Sequence, residues 1–127
     1  MTDEFGSPAA LRRFVALFNE GRFWDSHEVL EEPWRVNRSD FYQGLILFAS
    51  AYVHAERGNT HGATAQVRKA TQRLAPYPPA YLGIDVECIR GAAGEVLEAV
   101  SRGQPIGPPV LELDPARCTG KEPELTS

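Results

Sequence analysis

The segment 23–35 carries the side chains best suited to chemistry: His27, Glu28 and Glu31. His27 and Glu31 are four residues apart, so a helix places them one turn from each other on the same face. An imidazole held by a carboxylate has the fixed tautomer and the basicity that a general base or a metal ligand requires. A histidine with a purely structural role can make the same pair. The segment by itself favours this structural role over a catalytic one.

A metal site here needs ligands from a second helix, because the pattern lacks the second histidine of the HExxH zinc motif. The helix predicted over 40–57 has one polar stripe, whose members fall within roughly 60° of one another on a helical wheel. The members are Gln43, Ser50, His54 and Arg57. If the stripe faces the helix of His27, then His27, Glu31, Gln43 and His54 converge into a pocket. If it faces water, it is the solvent-exposed polar face of an amphipathic helix.

Aromatic residues border the loop between these two helices. Trp34 and Tyr42 flank the loop, and we expect them to line a ligand-binding cleft together with Gln43. Other aromatic residues recur at helical spacing, which is typical of a core. They are Phe23, Trp24, Phe41 and Phe48.

Hydrophobic periodicity predicts an all-α fold, a single-domain antiparallel bundle of about five helices. The predicted helices cover about 8–20, 23–32, 40–57, 60–74 and 86–102. Pro33 cannot donate to the carbonyl of Val29, so the second helix is expected to stop or kink there, with a loop over 35–39. Asp40 and Gln43 form a plausible capping box for the third helix.

The two ends of the chain differ from the bundle in composition. Residues 1–7 are expected to be a loose leader, and 8–103 the helical bundle. The Pro-rich tail, 104–127, is expected to be extended or mobile, with 110–113 extended against the bundle.

Composition narrows the class of partner. The net charge of −4 argues against duplex DNA or an anionic membrane as a partner.

The longest apolar stretch, 44–53, is about half of a bilayer span and therefore predicts a buried helix. Two cysteines without ligand-like spacing fit a reducing cytoplasm. A homodimer through an apolar helix face is compatible with these features.

The order and spacing of several short motifs resemble the domain-of-unknown-function 309 family over about residues 11–85. The motifs are Phe18-Asn19-x-Gly21-x-Phe23, His27-Glu28-x-x-Glu31-x-x-Trp34, Tyr42-Gln43-Gly44-Leu45-Ile46, His54, and Gly58-Asn59-x-x-Gly62-Ala63. The family consists of small bacterial and archaeal all-helical proteins, labelled in general terms as predicted metal-dependent hydrolases. The resemblance therefore implies a helical fold and a motif set whose members here are His27, Glu28, Glu31, Trp34, Gln43 and His54.

Two functions remain open from the sequence, and it does not decide whether the protein is an enzyme. The favoured hypothesis is a helical binding or scaffold module with a buried His–Glu cluster, whose ligand is an unidentified small molecule or peptide. The alternative is a hydrolase that uses either a divalent metal such as zinc, manganese or iron, or an unassisted His–Glu base. In that alternative His27, Glu31 and His54 bind the metal, and Glu28 and Glu31 are the catalytic carboxylates.

Overall fold

Helices occupy most of residues 8–114, the part of the chain that the computed structural model describes. In chain order the elements are α1 (Ala9–Asn19), α2 (Phe23–Asn37), α3 (Asp40–Glu56), α4 (Thr60–Leu74), β1 (Ala80–Tyr81), β2 (Ile84–Asp85) and α5 (Val86–Ser101). The predicted all-α class is confirmed, with the addition of a two-stranded antiparallel sheet. The predicted leader, 1–7, and the last part of the predicted tail, 115–127, lie outside the described residues.

The central helix is α3, as its apolar composition predicts. α2 and α4 pack on α3, α1 packs on α2, and α5 packs on α4. Links of two or three residues join the first four helices, so consecutive helices run antiparallel. α3 and α4 approach closely at Gly44, where an added Cβ would lie 2.6 Å from the Leu74 side chain. None of the described helices combines the length and the hydropathy that crossing a bilayer takes.

α2 is longer than predicted. It contains Pro33 and continues to Asn37, so the predicted end at Glu32 is wrong, and the predicted loop over 35–39 is reduced to residues 38 and 39. Buried Leu30, before the proline, and half-buried Trp34, after it, both pack against the core. Burial of this face on both sides of Pro33 offsets the one hydrogen bond that the proline removes.

Three helices begin with a side-chain cap, in which an oxygen accepts the backbone N–H three residues later. The caps are Ser39 for α3, Asn59 for α4 and Asp85 for α5. The predicted capping box of Asp40 and Gln43 is therefore wrong by one residue. The extension of α2 shortens the connection, and Ser39 takes the capping position.

The chain after α5 returns along the bundle. Leu111 is buried, and its backbone exchanges two hydrogen bonds of 2.8 Å with the side chain of Asn19 in α1. Leu113 forms a bridge with Ile84 of β2, and the N–H of Asp114 donates to the carbonyl of Gly83 at 2.7 Å. The expected extended segment over 110–113 therefore lies against the bundle.

Candidate functional site

The residues predicted to do chemistry lie on one face of α2. Trp24, His27, Glu31 and Trp34 follow at spacings of three, four and three, which aligns them along a helix. We call these four residues the α2 stripe. Trp24 is 51% exposed, the His27 and Glu31 side chains are 15% and 33% exposed, and Trp34 is half-buried. The stripe therefore runs from the protein surface toward the core.

The predicted pairing of His27 with Glu31 is present. Nε2 of His27 lies 3.6 Å from Oε2 of Glu31, which is longer than a well-formed N–H···O hydrogen bond. Nδ1 of His27 is buried and has no hydrogen-bond partner within residues 8–114. A histidine that acts as a base or metal ligand is normally oriented through its second ring nitrogen. Here the candidate orienting group is Glu31 near Nε2, at the long distance of 3.6 Å, and Nδ1 is the nitrogen without a partner among residues 8–114.

Two arginines lie over the two tryptophans. The guanidinium carbon of Arg57, at the end of α3, is 5.8 Å from the centre of the Trp24 ring. That of Arg38, at the end of α2, is 4.8 Å from the Trp34 ring. Arginine over an indole face is a favourable cation–π arrangement. Arg38 adopts a left-handed backbone conformation, with φ of 54°, which is costly for a residue with a Cβ. Each end of the stripe therefore carries a positive charge over an aromatic ring.

Glu28, a predicted catalytic residue, lies on a different surface. It is exposed and lines a cavity of about 770 Å³ between α1 and α2, together with Arg13 and Pro33. Glu31 faces His27 instead. The structure therefore separates the two carboxylates that the hydrolase hypothesis assigns to catalysis.

The predicted ligand-binding residues occupy different environments. Tyr42 is fully buried, so it belongs to the core. Gln43 is partly buried on α3. Trp34 belongs to the α2 stripe, and its indole N–H is buried without a hydrogen-bond partner within residues 8–114. Of the three, Trp34 is the residue that shares a face with His27.

The polar stripe of α3 makes its hydrogen bonds to α4. The hydroxyl of Ser50 accepts from the Gln66 amide at 3.2 Å, and His54 contacts the side chain of Asn59 at 3.2 Å. Arg57, from the same stripe, lies against Trp24 of α2. None of the hydrogen bonds described over residues 8–114 joins the His27–Glu31 pair to the α3 stripe.

The fit to a metal ion can be judged from the donor atoms. Within the described 107 residues, 8–114, no group of three or more His, Cys, Asp or Glu side chains is placed to hold a metal ion together. His27, Glu31 and His54 therefore do not form a three-residue site in this arrangement. Nδ1 of His54 is also occupied by the Asn59 amide. The donor set does not fit a bound metal.

Sequence reasoning missed two features of this region. It assigned Trp24 to the core, although half of the residue is exposed. It also gave no role to Arg38 and named Arg57 only as a member of the polar stripe of α3. The sequence signal was the placement of Arg38 four residues after Trp34, although Arg38 itself lies just beyond the end of α2. The contact of Arg57 with Trp24 joins different helices and has no local signal.

Residues 11–65 match the family model described as "Domain of unknown function (DUF309)". This match confirms the resemblance over residues 11–65, which include all of its motifs, and it does not extend over the predicted remainder, 66–85. An uncharacterized protein of Aquifex aeolicus (strain VF5) is 33% identical over 99 residues, which are 75% of this chain and 30% of that protein. The chain thus spans less than a third of the length of this curated relative. Neither description names a reaction, a ligand or a partner.

Proposed function

We propose that this protein, whose residues 11–65 match the DUF309 model, is a non-catalytic helical binding module whose ligand docks on the α2 stripe. The observation that carries the proposal is the pairing of each tryptophan of the stripe with an arginine, on either side of the His27–Glu31 pair. Tryptophan and arginine are the residue types most enriched among energetically important binding contacts.

The chemistry of the stripe selects a ligand with a carboxylate and an apolar part. Arg38 and Arg57 have no carboxylate partner among residues 8–114, whereas Arg22, Arg73 and Arg102 are each ion-paired there. A guanidinium recognises a carboxylate through two parallel hydrogen bonds. The exposed Trp24 ring offers apolar area beside that charge. We therefore infer an acidic peptide segment with large apolar side chains as the ligand class.

A binding role also suits the buried polar atoms of the stripe. The indole N–H of Trp34 has no acceptor within the described chain, and a buried donor without a partner is costly. A binding role requires no metal, whereas the metal-dependent form of the hydrolase alternative depends on a donor set that does not converge among residues 8–114. We propose no nucleic-acid partner, because the net charge is −4. A cytoplasmic location and self-association stay predictions.

Intrinsic fluorescence tests the proposal directly, because both tryptophans of the chain belong to the stripe. The probes are a blocked tetrapeptide of two leucines and two glutamates and its counterpart with two glutamines. We expect the acidic peptide to change the emission with saturation and the glutamine peptide to bind at least ten-fold more weakly.

The variants localise the binding. Arg38→Ala combined with Arg57→Ala should weaken binding of the acidic peptide about ten-fold. Arg13→Ala is the matched control, because Arg13 lies on the α1–α2 cavity, and should leave binding unchanged. Equal binding of the two peptides, or loss of binding only in Arg13→Ala, would overturn the proposal. Sedimentation at several concentrations shows whether a second copy of the chain occupies the stripe instead.

A further inference from the structure

The α1–α2 cavity, of about 770 Å³, is an open groove between two antiparallel helices. None of its lining residues belongs to the α2 stripe. The α2 residues that line it lie roughly 150° around the helix from the stripe, at about 100° per residue. The lining residues are Ala9, Ala10, Arg13, Leu17, Arg22, Asp25, Glu28, Val29, Glu32, Pro33 and Val36. The cavity is therefore a surface that the function proposed for the stripe does not use.

Apolar side chains from both helices line the α1–α2 cavity. Ala10 and Leu17 come from α1 and are partly buried. Val29 and Pro33 come from α2 and are also partly buried. Val36, near the end of α2, is 80% exposed and extends this apolar surface. Covering a continuous apolar surface with a partner is favourable, because it removes that surface from water.

The two walls of the cavity carry opposite charges. Arg13 lies on α1, whereas Glu28 and Glu32 lie on α2. All three are exposed, and none of them has an ion pair among residues 8–114. Arg22 and Asp25, near the α1–α2 link, already pair with each other at 2.9 Å. The cavity therefore offers one unpaired cation on one wall and two unpaired anions on the other.

The charged groups lie at the same level of the two helices. α1 ends at Asn19 and α2 begins at Phe23, so antiparallel alignment puts Arg13 level with residue 29, between Glu28 and Glu32. A surface of this kind is complementary to itself, because a two-fold axis presents the same patch from both molecules.

Two orientations of a second copy lay cavity on cavity, and the charges distinguish them. An axis along the groove puts α1 of each copy over α2 of the other, so Arg13 faces Glu28 and Glu32 of the second copy. An axis across the groove puts α1 over α1 and brings Arg13 toward Arg13 of the second copy. Like charges placed together across an interface are costly, so the axis along the groove is favoured.

We propose that the chain forms a two-fold dimer in which the α1–α2 cavities of two copies face each other. Arg13 of each copy then pairs with Glu28 and Glu32 of the other, and the apolar lining is covered. The α2 stripes lie outside this interface, so the dimer does not depend on the function proposed for the stripe. The cavity has 11 lining residues. A stable interface uses roughly 20–30 residues a side, so we expect a weak dimer, with a dissociation constant of roughly 10–100 μM.

Sedimentation of the full chain between about 5 and 500 μM measures the association. Arg13→Glu makes all the unpaired charges of the cavity acidic and should weaken the dimer at least ten-fold. Arg68→Glu is the matched control with the same change in net charge. Arg68 is exposed on α4 and has no ion pair among residues 8–114, so this variant should associate like the unmodified chain. Self-association through the α2 stripe would survive Arg13→Glu.

A complementary pair of variants tests the orientation. Glu28→Lys combined with Glu32→Lys makes the unpaired charges of the cavity basic, and this double variant should also associate at least ten-fold more weakly. An equal mixture with Arg13→Glu should recover the dimer, because acidic cavities then face basic ones. Recovery also shows that both variants are folded. A mixture of the double variant with Arg68→Glu should associate more weakly, since its cavities match at only half of the contacts.

Three results would overturn the proposal. The first is an unmodified chain that stays monomeric up to about 500 μM. The second is an Arg13→Glu variant that associates as strongly as Arg68→Glu. The third is a mixture of the two complementary variants that stays monomeric.

Discussion

The side-chain amide nitrogen of Asn59 lies 3.2 Å from Nδ1 of His54, and this contact joins the two helices of the α3–α4 hairpin. The side-chain oxygen Oδ1 of Asn59 accepts a hydrogen bond from the backbone N–H of Gly62 at 2.8 Å. The nitrogen of the amide therefore faces His54 as a donor, and Nδ1 of His54 must accept. This bond gives His54, a member of the motif set, and Asn59 a structural role in joining the end of α3 to the start of α4.

Gly62→Ala should destabilise the hairpin. An added Cβ would lie 2.6 Å from the amide nitrogen of Asn59 and 2.8 Å from Nδ1 of His54, so the cap must move. Loss of an N-cap costs about 1 kcal/mol, and we expect a net fall of about that size in the unfolding free energy. Gly91→Ala, where no atom lies within 4 Å of the new Cβ, should instead stabilise by about 0.5–1 kcal/mol. Urea unfolding measures both, and an increase for Gly62→Ala would contradict the role of the bond.

Asn19→Ala should release the chain after α5 from α1. The substitution removes both hydrogen bonds to Leu111, for a loss of about 1–2 kcal/mol in the unfolding free energy. Asn19→Asp keeps an acceptor for the N–H of Leu111 and should lose about half as much. Hydrogen exchange of the Leu111 amide reports the release directly. Unchanged exchange in Asn19→Ala would show that this side chain does not hold the segment.

Pro33→Ala should stabilise the protein. Pro33 lies inside α2, where alanine restores a backbone donor toward the carbonyl of Val29 and has far higher helix propensity. We expect a gain of about 1–3 kcal/mol in the unfolding free energy. Pro79→Ala is the control, because Pro79 precedes β1 outside any helix and its replacement should be neutral or slightly destabilising. A loss of stability in Pro33→Ala would mean that the ring itself contributes packing that alanine cannot replace.

Tyr52 should make stability fall at alkaline pH. Burial, first, and then the charges of Glu95 and Cys88 raise the pKa of Tyr52 in the folded protein. An unfolded tyrosine releases its proton near pH 10, so above that pH the folded state binds more protons and stability decreases as the pH rises. Between pH 9 and pH 11 we expect the protein to lose about 1.4 kcal/mol more than Tyr52→Phe does. Urea unfolding at the two pH values measures this difference.

The outcome at pH 9 is also informative, because it isolates the hydroxyl. Tyr52→Phe removes a buried hydroxyl that has no partner within residues 8–114, so it should be neutral or stabilising there. Equal losses between pH 9 and pH 11 in the two proteins would show that the Tyr52 hydroxyl ionises as freely in the fold as in the unfolded chain.

Features that depend on neighbours along the chain could be predicted from the sequence alone. The helices, the Asn59 and Asp85 caps and the His27–Glu31 pair follow from hydrophobic periodicity, capping preference and the i,i+4 geometry of a helix. The prediction that a proline ends or kinks the helix failed at Pro33, because burial of Leu30 and Trp34 outweighs the lost hydrogen bond.

Tertiary packing decided which way each face points. A wheel places Ser50, His54 and Arg57 on one side of α3 but leaves open which neighbour that side meets. Packing of α3 against both α2 and α4 turned Ser50 and His54 toward α4 and brought Arg57 to Trp24. A cavity of about 450 Å³ is lined both by Tyr52 of α3 and by Ile106, which comes far later in the chain. Such contacts depend on the rotation and spacing of whole helices, which no local pattern encodes.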